Sequence, residues 1–171
     1  MILLLLISLL DPRYVANHRD FILEKDFSTP KQREIVYLAA QDINKAAGCQ
    51  VITVKMVDFV DFDHNVITFN PEALAKEGKN DIAMTFKRGP LVKVGVRSYL
   101  RNEKLFYVLL HELGHSLGVS HIMNRASIMY PFVRGSTPEV SNCRRISRKW
   151  RILWSKQIAN ILKKKNAALC E

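Results

Sequence analysis

The most informative segment of the sequence is HELGHSLGVSH, residues 111–121. His111 and His115 are four residues apart, so on a helix their imidazoles lie on one face, one turn apart. The chain has five histidines, and the third one in this stretch is His121. Gly118 tolerates a positive φ, so the chain can turn there and bring His121 back towards the other two. Three converging imidazoles predict a metal site.

The chemistry of these side chains indicates zinc. Three neutral imidazoles leave a fourth coordination position for water, which is typical of catalytic zinc rather than of closed structural sites. Ligation by nitrogen alone also favours Zn²⁺. Glu112 follows the first ligand, where its carboxylate can approach a metal-bound water. We therefore predict one catalytic Zn²⁺ on His111, His115 and His121, with Glu112 as general base and acid.

A second motif, SIMYP at residues 127–131, places Met129 eight residues after His121. It matches the Met-turn, a tight turn that puts a methionine beneath the zinc ligands. On these two motifs, residues 105–131 resemble the metzincin metallopeptidases and, among them, the matrixins. The resemblance implies an α+β zincin fold with a twisted mixed sheet, an active-site helix and a C-terminal helix. It also implies that the chain is a metalloendopeptidase acting on peptide or protein substrates.

The sequence departs from the matrixin pattern at several positions. Ile122 follows the third histidine, where matrixins usually have Ser. Upstream of the motif only His18 and His64 remain, and we predict no second, structural zinc. Three aspartates could bind Ca²⁺, but a solvated loop explains them better and no calcium site is predicted; they are Asp58, Asp61 and Asp63.

The order of the other predicted elements is also of the α+β type. Ser28-Thr29-Pro30 is a helix-start signal, and Gly48 ends the amphipathic helix that follows. Strands are predicted over residues 19–26, 50–59, 66–69, 82–86 and 91–96, and helices over residues 30–47, 103–117 and 144–165.

An extended substrate is expected to pair with an edge strand of the sheet. We predict that Leu91–Arg97 is this edge strand. The segment 131–137, which follows the Met-turn, is expected to line the pocket just past the scissile bond. We predict that the substrate-binding residues are Val94, Gly95, Tyr130 and Pro131.

The net charge of +10 would by itself suggest a nucleic-acid or acidic-surface binder. However, residues 1–139 hold 17 Lys and Arg against 15 Asp and Glu, whereas residues 140–171 hold nine against one. The charge therefore belongs to the C-terminal helix, whose apolar stripe includes Trp150, Leu153 and Trp154. In one interpretation the stripe packs on the core and the charges are solvated. In the other, the charged face docks on acidic polysaccharide, nucleic acid or anionic lipid.

The N-terminal residues and the three cysteines bear on where the protein acts. Residues 1–10, MILLLLISLL, resemble the apolar core of a signal peptide, although no basic residue precedes them. We interpret residues 1–18 as a signal peptide or N-terminal extension and residues 19–171 as a catalytic domain, and expect secretion. Among the three cysteines, a bridge from Cys49 to Cys143 or Cys170 is more feasible than Cys143–Cys170, because a helix of roughly 30 Å separates the last two.

Three functions compete for this sequence, and the nearly neutral charge of residues 1–139 argues against one of them, a basic polyanion-binding protein with an incidental motif. The first is a monomeric zinc endopeptidase with no specific nucleic-acid function. The alternative is an inactive, zinc-binding metzincin homologue that acts as a binding module. The intact Glu112 argues against the alternative, because an inactive homologue has no need of a base at that position.

Overall fold

The computed structural model describes residues 19–58, 64–70, 83–88, 91–98, 100, 102–131, 147–166 and 168–170. The predictions made for residues 1–18, Asp61, Asp63, residues 132–137 and Cys143 lie outside these residues.

The described part of the chain contains three helices and five strands, and the predicted α+β class is confirmed. Each observed element lies within a few residues of its predicted bounds. In chain order they are β1 (Arg19–Glu24), α1 (Pro30–Ala47), β2 (Ile52–Val57), β3 (Asn65–Thr68), β4 (Ala83–Arg88), β5 (Leu91–Val96), α2 (Asn102–Ser116) and α3 (Arg148–Lys165).

The five strands form one mixed sheet in the order β2-β1-β3-β5-β4. β1 pairs in parallel with β2 and β3, and β3 pairs in parallel with β5. β4 pairs antiparallel with β5 and has no other partner among the described strands. The sheet is therefore parallel except at the outer strand β4.

The prediction that Leu91–Arg97 is the edge strand is wrong. β5 lies between β3 and β4, so Val94 is paired with Ile67 on one side and Thr85 on the other. Gly95 is likewise flanked on both sides. Because their backbone groups face neighbouring strands, Val94 and Gly95 do not offer an edge to a substrate. The edge at this side of the sheet belongs to β4.

The start and end of α1 follow directly from its sequence. Thr29 caps the helix through a reciprocal pair, in which its hydroxyl accepts from the Gln32 N–H and the Gln32 side chain accepts from the Thr29 N–H. Pro30 occupies the first turn, where no N–H is needed. At the other end Gly48 adopts a left-handed φ of 87°. The predicted bounds of 30–47 are thus confirmed.

One continuous core lies between the sheet and the helices. α1 contacts β2, α2 and α3, while α2 contacts β4 and β5. Trp154, Ile158 and Leu162 of α3 are buried in this core, as predicted for its apolar stripe, whereas Leu153 of the same stripe is exposed. Asp42 of α1 and Arg151 of α3 form a two-point ion pair, with N···O distances of 2.7 and 2.9 Å. None of the described helices is long and apolar enough to span a bilayer.

A disulfide joins Cys49, just after α1, to Cys170 near the C-terminus. This is one of the two pairings that the sequence left open. The bridge fixes the chain beyond α3 against the end of α1. The Asp42–Arg151 ion pair is a second, non-covalent connection, between α1 and α3 themselves.

We expect that removing the bridge by the double substitution Cys49→Ser and Cys170→Ser lowers the free energy of unfolding by about 2–4 kcal/mol. The reason is that the bridge joins residues 121 positions apart, and so restricts the unfolded chain strongly. Urea denaturation measures the change. Cys143→Ser is the control, and an equal loss of stability in that variant would contradict the pairing.

Candidate metal centre

The structure brings the three predicted ligands together at the end of α2. The Nε2 atom of His115 lies 3.0 Å from Nε2 of His111 and 3.0 Å from Nε2 of His121. The ligand atoms of the three residues all lie within 4.8 Å of one another. Nitrogens bound at 2.0–2.1 Å to one tetrahedral zinc ion would be about 3.3 Å apart. The spacing therefore fits a single Zn²⁺.

Backbone carbonyls determine which nitrogen of two rings is available to a metal. His111 Nδ1 donates to the carbonyl of Ile128 at 2.8 Å, and His115 Nδ1 donates to that of Val119 at 2.7 Å. A carbonyl can only accept, so the proton of each neutral ring must reside on Nδ1. The Nε2 lone pairs then face the common centre, which is the arrangement that a metal requires.

Burial also favours the neutral rings. It lowers the pKa of His111, and the neighbouring His121 adds to this effect, whereas the bond to Ile128 opposes it. Burial lowers the pKa of His121 as well. Neutral imidazole is the form that binds metal, so the protein environment prepares these ligands for it.

The turn after α2 is a Schellman motif centred on Gly118. The Gly118 N–H donates to the His115 carbonyl at 3.0 Å, and the Val119 N–H donates to the Gly114 carbonyl at 2.9 Å. Gly118 has a φ of 91°, which a residue with a side chain rarely adopts. The predicted turn at this glycine is confirmed, and it returns the chain so that His121 reaches the other two histidines.

The Met-turn packs directly against α2. Met129 is fully buried, and the Tyr130 N–H closes the turn on the Ser127 carbonyl at 3.1 Å. Gly114 lies between the two helical ligands, and a Cβ there would be 2.7 Å from the Met129 sulfur. The glycine therefore makes room for the methionine. Ile122, the residue that departs from the matrixin pattern, donates its N–H to the Met129 carbonyl at 2.9 Å.

Gln157 of α3 holds the same loop from the other side, and sequence reasoning missed it. Its side chain accepts from the Ile128 N–H at 2.8 Å and donates to the Ala126 carbonyl at 3.2 Å. The Ile128 carbonyl is the group that orients His111. A lone glutamine on a helix has no characteristic spacing, so no sequence signal marks this role.

Glu112 follows His111 on α2 and is buried, with 7% of its surface exposed. The hydroxyl of Thr85, in the middle of β4, lies 2.6 Å from its Oε2 atom and 3.1 Å from its backbone carbonyl oxygen. Thr85 was also missed by sequence reasoning, because a single threonine in a strand has no motif around it.

The remaining predicted site residues lie as follows. Tyr130 and Pro131 come directly after the Met-turn and are half-buried. Val94 and Gly95 are buried within the sheet. Asp58, the described member of the three aspartates considered for calcium, forms an ion pair with Lys25 at 2.7 Å.

Comparison with known proteins agrees with this geometry. Residues 93–145, just under a third of the chain, match the matrixin family model. This part of the chain is similar to the matrixins.

Two relatives match the chain over short segments. Stromelysin-2 of Rattus norvegicus is 54% identical over 37 residues, which cover 22% of this chain and 8% of the relative. A putative matrix metalloproteinase of Trichoplusia ni ascovirus 2c is 53% identical over 32 residues, which cover 19% of the chain and 6% of the relative. The matched part thus spans less than a tenth of either relative.

We expect Gly114→Ala to destabilise the protein by about 1–3 kcal/mol, because the new methyl group would overlap the buried Met129 side chain. Guanidinium denaturation in the presence of EDTA isolates this packing effect from metal binding. In a double-mutant cycle with Met129→Ala the two losses should be less than additive, since the shorter side chain removes the clash. Strict additivity would show that the two residues do not interact.

Proposed function

We propose that this chain is a zinc-dependent endopeptidase. The observation that carries the proposal is the convergence of three Nε2 atoms, two of them on rings fixed by Nδ1 bonds to carbonyls. The residue that follows the first of these histidines, Glu112, is buried. The matrixin match and the two partial relatives support a metalloprotease function in general. The single ion, the residue roles and the mechanism are part of the proposal.

The residues present suit the hydrolysis of a peptide bond. A Zn²⁺ ion on His111, His115 and His121 would lower the pKa of a water molecule and polarise the scissile carbonyl. Glu112 accepts the proton of the attacking water and passes it to the leaving amine. Because Glu112 is buried, this transfer takes place in a site that is largely shielded from bulk solvent.

The sheet suggests where the substrate binds. β4 is paired on one side only among the described strands, and it contacts α2. We propose that an extended peptide adds to β4 as a further strand, with backbone hydrogen bonds supplying much of the affinity. Tyr130 and Pro131 are proposed to contact the substrate from the Met-turn side.

The Cys49–Cys170 bridge supports secretion, since disulfides persist in oxidising compartments.

We expect Glu112→Ala to retain zinc and to lose at least about a hundredfold in peptidase activity, because it removes the general base but no ligand. Metal analysis after dialysis and cleavage of a casein substrate measure the two properties. His115→Ala is the matched control and should lose both zinc and activity. Full activity of Glu112→Ala would overturn the mechanism, and wild-type protein that binds zinc without cleaving any substrate would favour the inactive binding module.

The outer face of α3 supports a second, separate role. Ile152 and Leu153 are 44% and 42% exposed, although the apolar pattern placed Leu153 in the buried stripe. Exposed cations surround them on the same helix, namely Lys149, Lys156, Lys163 and Lys164. Exposed aliphatic side chains among cations are typical of helices that lie on anionic lipid surfaces. We propose that this face docks on such a surface, and that the protein otherwise acts as a monomer.

We expect Lys156→Gln combined with Lys163→Gln to weaken binding to phosphatidylserine vesicles at least about tenfold, because each cation near the surface contributes about 1 kcal/mol. Vesicle sedimentation at low salt measures it, with phosphatidylcholine vesicles as the neutral reference. Lys31→Gln combined with Lys45→Gln on α1 is the matched control. Retention on heparin without vesicle binding would show that the partner is a polysaccharide rather than a lipid.

A further inference from the structure

The contact between Thr85 and Glu112 has a defined direction. A hydroxyl carries one proton, and both nearby atoms of Glu112 are acceptors, the Oε2 atom at 2.6 Å and the backbone oxygen at 3.1 Å. The shorter distance lies in the range of hydrogen bonds from a hydroxyl to an ionised carboxylate. Thr85 therefore donates its proton to the carboxylate of Glu112.

This bond restrains the orientation of the Glu112 side chain. Glu112 has three rotatable bonds, and its terminal torsion is broad in the absence of a partner. The branched side chain of Thr85 is stiff about χ1, so its hydroxyl has a fixed position. A buried carboxylate without a donor would also be strongly disfavoured. The threonine thus supplies both an orientation and a compensating bond.

The sheet holds Thr85 itself in place. It occupies the middle of β4 and pairs with Val94 of β5, so its backbone position is set by strand pairing rather than by a loop. The sheet therefore fixes the position of the hydroxyl that binds the Glu112 carboxylate on α2. Proton transfer depends steeply on the distance and alignment of the groups involved. A hydroxyl held rigidly by the sheet can therefore keep a general base correctly aligned.

We propose that Thr85 is a positioning residue, whose hydroxyl holds the Glu112 carboxylate in the orientation needed for proton transfer. The proposal rests on the peptidase function above. It assigns to the hydroxyl a role in the rate of the reaction rather than in the affinity for the substrate. It also connects the general base to β4, the strand that we propose binds the substrate.

The kinetic test uses the full chain loaded with zinc and three single variants. Thr85→Val keeps the branched shape and removes the donor, and we expect kcat to fall about tenfold with KM within about twofold of wild type. Thr85→Ser restores the hydroxyl and should recover most of kcat. Thr53→Val is the matched control, because Thr53 lies on β2 at the other edge of the sheet and its hydroxyl also bonds a carboxylate, that of Asp20. Zinc content should be the same in all three.

A second measurement does not depend on activity. In the metal-free protein, thermal unfolding is compared for wild type, Thr85→Val, Glu112→Ala and the double variant. We expect Thr85→Val to lower the unfolding midpoint when Glu112 is present and to have much less effect in the Glu112→Ala background. The corresponding cycle between Thr53→Val and Glu112→Ala should be additive.

The two measurements separate the possible failures. If wild type does not cleave peptides, the proposed function is wrong, while a coupled cycle would still identify the bond between Thr85 and Glu112. If wild type is active but Thr85→Val keeps its kcat, or Thr85→Ser fails to recover it, the positioning role is overturned. A KM effect alone, with kcat unchanged, would assign Thr85 to substrate binding instead.

Discussion

Everything at this site depends on one requirement, that three neutral imidazoles present their Nε2 atoms to the same point. A ring does this only if its Nδ1 proton has an acceptor elsewhere. For His111 the acceptor is the carbonyl of Ile128, and for His115 it is that of Val119. Both acceptors lie beyond the end of α2, so the helix alone cannot orient its own ligands. The turn at Gly118 and the Met-turn must be formed before the triad has its geometry.

The Met-turn in turn depends on the C-terminal helix. Gln157 of α3 binds the backbone on both sides of Ser127, and thereby fixes the Ile128 carbonyl that orients His111. α3 is itself tied to α1 through Arg151 and Asp42, and the Cys49–Cys170 bridge secures the chain that follows it. The strongly basic C-terminal segment therefore also has an inner side. On that side Gln157 binds the loop whose carbonyl orients His111.

The parts of the site that sequence could predict are those encoded by local spacing. The four-residue interval of His111 and His115, the turn at Gly118 and the bounds of α1 all follow from helix geometry and capping rules. Thr85 and Gln157 could not be found in this way, because each acts through one polar group that meets the site from a distant element. The edge strand was predicted wrongly for a related reason. Strand order is set by long-range pairing, and the apolar pattern of β5 carries no information about which strands lie beside it.

Correcting the edge strand changes how the site is understood. With β5 inside the sheet, the outermost strand beside α2 is β4, and it is this strand that carries Thr85. A peptide that added to β4 would therefore be aligned by the same strand that holds the carboxylate of Glu112. The substrate and the general base would then both be positioned by β4, so that their relative position would not depend on a mobile loop. The antiparallel pairing of β4 with β5 is in this sense as much a part of the proposed active site as the histidines.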